Sequence, residues 1–244
     1  MRRVIRPALS KAAQTYLNKR QASTNAKREL GQLDIEKEWK VARQTKALNS
    51  VLATLRQMVW PRERCMYCVD SHGADIEHFR PKARYSQSAF VWSNLLLCCT
   101  ECGRFKGNQF PMSGRRSLLI NPSIEDPWLH LDFDPVTGNL TARFDLQMNN
   151  WSLKGSKTVE LLRLDRREAM AVGYANTFKR LCAIVQTSLA AGAIDTQALI
   201  ADLKQADDHG LLGWCFSNTG RTLPPFSDFH QQHPAEWLQC SQAL

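Results

Sequence analysis

The sequence contains no apolar run long enough to cross a bilayer, so a membrane-spanning helix is not expected. Its first residues are basic, but no apolar core or cleavage site follows them, which argues against a secretory signal. Internal repeats and low-complexity segments are also missing. The 244 residues suffice for one large domain or two small ones with an ample hydrophobic core.

The eight cysteines do not form the pattern of a disulfide framework. Four of them make two Cys-x-x-C pairs, and the rest are scattered along the chain. The scattered ones are Cys98, Cys182, Cys215 and Cys240. Because disulfides are rare in reducing compartments, we expect a cytoplasmic protein.

Acidic residues are scarce in the first half of the chain. Residues 1–64 hold fifteen Lys or Arg against five Asp or Glu, and residues 65–116 hold seven against four. Residues 117–244 hold ten against fourteen, so the net charge of +9 comes entirely from the part before them. This asymmetry predicts a polyanionic partner, with a helix face that only contacts water as the alternative.

The two Cys-x-x-C pairs have the ligand number and spacing of a closed tetrahedral zinc site. They are Cys65/Cys68 and Cys99/Cys102, thirty residues apart. Cys98 directly precedes the second pair, but the spacing to Cys102 selects Cys99 as the ligand. Cys98 is then expected to be a small buried apolar residue.

Between the pairs lie Glu77 and His78, a carboxylate beside an imidazole. These groups can activate a water molecule next to a metal-bound phosphate. An imidazole has an ordinary pKa of about 6.5, which suits a general base near neutral pH. His72 precedes Gly73 in a predicted turn and is not expected to take part. The alternative is a plain zinc ribbon that binds nucleic acid or protein without catalysis.

Residues 62–112 closely resemble the HNH endonuclease family in its four-cysteine form, through CMYC, DIEHFRPK and WSNLLLCCTECGRFKGNQFP. The resemblance implies a ββα-metal finger with a structural zinc on the four cysteines. It further implies that His78 is the general base, Glu77 the ligand of a catalytic Mg²⁺ or Mn²⁺, and Asn94 a brace for the loop. Four cations near the site would bind phosphates of the nucleic acid. They are Arg80, Lys82, Arg104 and Lys106.

The wider pattern resembles the PtuB-type branch of that family. It includes AFVWSNLLL, KGNQFP, LLINPSIEDP and the opening MRRVIRP. This resemblance implies an effector nuclease of Septu and some retron anti-phage systems, with a PtuA-like ATPase as partner. In a retron the partners would include a reverse transcriptase with its RNA and DNA. The implied substrate is DNA or an RNA such as tRNA, and the sequence favours neither.

One position departs from the family pattern. The family has His or Asn directly after the last zinc cysteine as a second ligand of the catalytic metal, whereas Gly103 stands here. Asn108, Asp75 or additional waters are the alternatives, since Mg²⁺ commonly keeps several waters. Asp75 and Glu77 share a face if the segment is extended, because side chains alternate along a strand.

We expect a mostly helical α+β protein in which the finger joins a basic helical arm to a C-terminal helical region that serves as scaffold or partner surface. The three predicted regions are residues 1–60, 61–116 and 117–244. Apolar spacing predicts one helix over residues 34–59, with Pro61 stopping it. Alternation predicts a hairpin from strands at 129–133 and 140–144. Three helical stretches are predicted, the first from Ser156 to Val172, the second from Phe178 to Val185 and the third from Ala198 to Leu203, ending near Gly210. A loop-rich tail with one short helix follows.

Overall fold

The computed structural model describes residues 1–59 and 61–243, and the chain folds into two compact units. One unit is Arg3–Glu125, and the other combines Met1–Arg2 with Asp126–Leu244. Two ends of the predicted regions, Trp60 and Leu244, lie outside the described residues. The boundaries of the three predicted regions stay predictions.

The Arg3–Glu125 unit begins with three helices, each capped at its start by a side chain. They are α1 (Lys11–Glu29), α2 (Ile35–Arg43) and α3 (Lys46–Gln57), capped by Ser10, Asp34 and Thr45. The prediction of one helix over residues 34–59 is wrong, because the helix is interrupted at Gln44 and Thr45. Thr45 is extended, and its hydroxyl accepts a hydrogen bond from the Leu48 amide at 3.4 Å, which starts a new helix.

A small antiparallel sheet and a short helix follow. Strands β1 (Asp75–His78) and β2 (Leu95–Cys98) pair with Glu77 opposite Leu96 and His78 opposite Leu95. Helix α4 (Thr100–Lys106) begins directly after β2. A two-residue hairpin of β3 (Met112–Ser113) and β4 (Arg116–Ser117) comes next. Strand β2 is fully buried, and β1 is therefore anchored to the core of the unit through its pairing with β2.

The second unit contains the predicted hairpin, with shorter strands. These are β5 (Leu131–Phe133) and β6 (Leu140–Ala142), and β7 (Phe144–Asp145) pairs with β8 (Asn150–Trp151) beyond them. Six helices complete the unit. They are α5 (Leu153–Leu162), α6 (Glu168–Ala190), α7 (Thr196–Ala206), α8 (Leu212–Ser217), α9 (Phe226–Gln232) and α10 (Pro234–Ala243).

Two predictions about this unit are wrong. The predicted helical stretches divide between Val172 and Phe178, but α6 runs through both, and the break lies at residues 163–167. There Arg163 adopts a left-handed conformation with φ of 53°, which ends α5. The tail also contains three helices instead of one, because its aromatic residues pack together. The rings of Phe216 and Trp237 stack at 4.5 Å.

The described chain is thus a mostly helical α+β protein with small two-stranded sheets. Within residues 1–59 and 61–243, no helix has the length and apolar character needed to cross a bilayer.

Candidate metal centre and histidine groove

The structure brings the two predicted cysteine pairs together. The sulfur atoms of Cys65, Cys68, Cys99 and Cys102 lie within 4.8 Å of one another, and all four residues are buried. The sulfurs of Cys68 and Cys99 are 3.8 Å apart. Two thiolates at 2.3 Å from a tetrahedral zinc ion would lie about 3.8 Å apart. The cluster can therefore bind one zinc ion.

Backbone geometry presents these sulfurs to a cation. The Cys65 sulfur accepts a hydrogen bond from the Tyr67 amide, and the Cys99 sulfur accepts one from the Cys102 amide, both at 3.4 Å. Val69 is left-handed with φ of 53°, which turns the chain sharply after the first pair. Amide donors stabilise negative charge on sulfur, so both turns favour the thiolate form that zinc binds.

The fifth thiol nearby, Cys98, does not belong to the cluster. Its sulfur lies 4.0 Å from the Cys65 sulfur and donates a hydrogen bond to the Cys99 carbonyl at 3.3 Å. The hydrogen bond with Cys65 is the main cause that raises the pKa of Cys98 far above its ordinary value. A hydrogen bond from Cys102 is the main cause that lowers the pKa of Cys99. The spacing argument for Cys99 agrees with this arrangement.

His78 ends β1 with its ring almost fully buried, at 5% exposure. Its Nε2 lies 3.0 Å from the Ala89 carbonyl oxygen, and the Trp39 ring packs edge-on at 4.3 Å. Because a carbonyl only accepts, Nε2 carries the hydrogen and Nδ1 keeps its lone pair. Burial is the largest cause that lowers the pKa of His78 to about 3, and the positive charge of Lys82 adds to it. The imidazole is therefore neutral at neutral pH.

Asn94 ties together the loop that follows β1. Its Oδ1 accepts a hydrogen bond from the Arg80 amide at 2.8 Å, and its Nδ2 donates to the carbonyls of Arg80 at 3.1 Å and Ser88 at 2.9 Å. Ser88 directly precedes Ala89, the residue that holds the His78 ring. The amide side chain of Asn94 thus contacts both ends of the segment that orients the imidazole, and its role as a brace stays a prediction.

Glu77 forms an ion pair with Lys106. The Lys106 ammonium lies 2.8 Å from Glu77 Oε1 and is fully buried, whereas the Glu77 side chain is 21% exposed. A β-carbon on Gly103 would lie 3.5 Å from Glu77 Oε2, an ordinary van der Waals contact, so Gly103 lies directly beside the second carboxylate oxygen. Lys106 was predicted to contact phosphates, but its ammonium pairs with the carboxylate instead.

We expect Glu77→Gln to destabilise the protein more than Lys106→Met. The first change leaves a fully buried ammonium without a counter-charge, which costs about 3–5 kcal/mol. The second leaves a carboxylate that reaches water while the methionine replaces the lysine stem, and it should cost about 1–2 kcal/mol. Urea unfolding of both variants measures which change lowers the free energy of unfolding more.

As a control, Glu36→Gln breaks only the pair with Lys82 at 3.0 Å, in which the carboxylate is exposed, and should cost less than about 1 kcal/mol. If Lys106→Met lowers the free energy of unfolding as much as Glu77→Gln or more, the buried ammonium is not the costlier group to leave unpaired.

A groove of about 790 Å³ opens beside these residues. One wall is α2 and the other is β1 with the turn after it. Among the residues that line it are Asp34, Glu36, Lys37, Trp39, Lys40, Arg43, Asp75, Glu77, His78, Lys82 and Asn108. Of the four predicted phosphate-binding cations, only Lys82 lines the groove; Arg80 and Arg104 are exposed elsewhere on the surface.

The oxygen donors available to a catalytic divalent ion are few. Glu77 Oε2 and Asn108 line the groove, and Asp75 does too, but its carboxylate is paired with Arg43 at 2.6 Å. Among residues 1–59 and 61–243, the four-cysteine cluster is the only group of three or more His, Cys, Asp or Glu placed to share an ion. With Asn108 and the Glu77 oxygen that Lys106 does not contact as its protein donors, such an ion would take most of its ligands from water or a substrate.

The fold and the cluster define a mostly helical α+β protein with a four-cysteine site for zinc beside a histidine-bearing groove. No protein-family model matches the chain. The chain is 34% identical to the Septu protein PtuB of Bacillus mycoides (strain KBAB4) over an alignment of 137 residues, and the match covers 43% of this chain and 44% of the relative.

Two further relatives carry Septu names. The Septu protein PtuB of Bacillus thuringiensis is 28% identical over an alignment of 112 residues, and the match covers 44% of this chain and 38% of the relative. The Septu protein PtuA of Bacillus mycoides (strain KBAB4) is 28% identical over an alignment of 152 residues, and the match covers 49% of this chain and 20% of the relative. The chain spans less than half the length of each curated relative, and it is similar to PtuB-type Septu proteins over that part.

Proposed function

We propose that the protein is a metal-dependent HNH endonuclease that serves as the effector of an anti-phage defence complex. The observation that carries the proposal is the geometry of His78. Its neutral imidazole keeps a free Nδ1 lone pair, next to a carboxylate, on a loop that Asn94 fixes. The groove gives an extended polymer access to this pair.

In the proposed reaction, His78 takes a proton from the water that attacks the phosphodiester. A phosphate entering the groove raises the pKa of the imidazole, because a nearby negative charge stabilises its protonated form. Burial against Trp39 keeps the ring in one orientation, and the hydrogen bond to Ala89 fixes its tautomer. Glu77, with Asn108 and water, would hold a Mg²⁺ or Mn²⁺, which supplies charge stabilisation at the phosphate.

The cellular setting is inferred from the relatives. They carry the names Septu protein PtuB and Septu protein PtuA, and a PtuA-like ATPase is the proposed partner. A retron reverse transcriptase with its RNA and DNA is the partner in the other setting that the sequence resembles. The proposed substrate is DNA or an RNA such as tRNA, and the concentration of positive charge before residue 117 supports a polyanion of either kind.

A second candidate is a zinc-containing subunit that binds nucleic acid or organises an assembly without cleaving. Two observations favour it. Gly103 supplies no second ligand for a catalytic ion, and one oxygen of Glu77 is already paired with Lys106. The zinc site and the basic charge would then serve binding alone.

Cleavage assays separate the two candidates. Zinc-loaded protein is incubated with plasmid DNA and with tRNA, in Mg²⁺ or Mn²⁺, alone and with a PtuA-like ATPase. We expect divalent-dependent cleavage of one substrate. A folded, zinc-containing protein that binds nucleic acid but cleaves neither substrate under any of these conditions would favour the second candidate.

A further inference from the structure

We propose that the exposed side of α2 that lines the groove is a binding site for nucleic-acid phosphates, with Lys37 and Lys40 as its contacts. This inference deepens the proposed function, since it assigns the substrate-binding wall of the same groove. The basic residues of α2 were not among the predicted phosphate contacts. The folded structure places them in the same groove as His78, although they lie about forty residues before it in the sequence.

Helix α2 presents two different faces. Trp39 and Ala42 are buried, and Trp39 packs against the ring of His78. Lys37 and Lys40 are exposed, lie three residues apart, and line the groove. Residues at this spacing fall on the same side of a helix, so the two ammonium groups point into one region.

Among the described residues that line the groove, Lys37 and Lys40 are the two cations without an ion pair, and Asp34 is the one carboxylate without one, so one positive charge is left in excess. Three carboxylates that line it are already paired, Glu36 with Lys82, Asp75 with Arg43 and Glu77 with Lys106. The distances are 3.0, 2.6 and 2.8 Å.

The fourth carboxylate is Asp34, which accepts a hydrogen bond from the Lys37 amide at the start of α2. Among the described residues, the side chains of Lys37 and Lys40 make no ion pair. An anionic ligand is therefore what this wall favours.

The wall is held at a fixed place relative to the imidazole. The contact between Trp39 and His78 joins the helix to β1 directly. The pairs of Arg43 with Asp75 and of Lys82 with Glu36 join α2 to the opposite wall at two further points. A phosphate bound by Lys37 and Lys40 would place neighbouring phosphates of the same strand along the groove past His78. The ligand class is thus a phosphodiester backbone, bound through charge without base recognition.

The test compares two double variants that remove the same charge, both in a His78→Gln background that prevents cleavage. One is Lys37→Gln with Lys40→Gln, and the control is Lys11→Gln with Lys19→Gln on exposed positions of α1 outside the groove. Binding of a fluorescent single-stranded DNA, duplex DNA and tRNA is measured from 50 to 200 mM salt, without chelator.

We expect the α2 variant to weaken binding about tenfold at the lowest salt, and to reduce the slope of log K against log salt by about 1.4–1.8. The control should change neither value. An unchanged slope in the α2 variant, an equal loss in both variants, or no binding by any form would overturn the assignment. Cleavage plays no part in this readout, so it stands or falls independently of whether the protein is a nuclease.

Discussion

Cys102→Ser should cost the protein its zinc and unfold the Arg3–Glu125 unit. The four sulfurs are buried within 4.8 Å of one another, where thiolates without a cation would repel one another. Binding of a structural zinc supplies about 10–16 kcal/mol in zinc-finger peptides, while a whole domain is stable by only about 5–15 kcal/mol. Loss of one of the four thiolates should therefore lower the free energy of unfolding of this unit to zero or below.

Metal analysis and thermal unfolding of purified protein check this expectation. We expect one zinc per wild-type chain, and Cys102→Ser should contain far less and show no cooperative transition for this unit. Cys98→Ser is the matched control, because that thiol is equally buried and adjacent to the cluster but is not one of its four sulfurs. It should keep its zinc. A folded, zinc-free Cys102→Ser, or zinc loss in Cys98→Ser, would show that the ligand set is wrong.

Cleavage by His78→Gln should fall by about 10²–10⁴ relative to the wild type, the usual contribution of a general base. The glutamine amide can still donate a hydrogen bond to the Ala89 carbonyl, so the loop keeps its contact, but it offers no basic lone pair. Initial rates at saturating substrate measure the loss. Zinc content and melting temperature should match those of the wild type.

His72→Gln is the control for this change. His72 is exposed, pairs with Arg64 in an isolated β-bridge before β1 and does not line the groove, so its replacement removes an imidazole without changing the groove lining. Its cleavage rate should equal that of the wild type. If His78→Gln cleaves at the wild-type rate while folded and zinc-bound, the activity does not use this imidazole. If both variants lose activity equally, the loss comes from stability.

Local spacing in the sequence was enough to predict parts of the site. The Cys-x-x-C pairs constrain four sulfurs to two tight turns, and the choice of Cys99 over Cys98 followed from spacing alone. The extended segment that would put Asp75 and Glu77 on one face is present as β1, which contains both residues. Asn94 makes hydrogen bonds to the loop after β1, and the bracing role that the family resemblance gave it stays a prediction.

Features that depend on distant packing could not be predicted in this way. Nothing in the sequence near Lys106 indicates that its ammonium lies buried on Glu77, twenty-nine residues away. The break at Thr45 was hidden because apolar residues keep a helical spacing across it. The groove wall of α2 depends on Trp39 meeting His78, and the helices of the tail depend on aromatic rings that come together only in the folded unit.

The order of the zinc ligands along the chain has a consequence for synthesis. Cys99 and Cys102 follow His78 by more than twenty residues. A ribosome that adds about 5–20 residues per second makes the histidine roughly 1–5 seconds before the last ligand. During that interval the imidazole exists without the metal-closed turns. A nascent chain released before Cys99 would carry His78 and Glu77 with only the first half of the four-cysteine cluster.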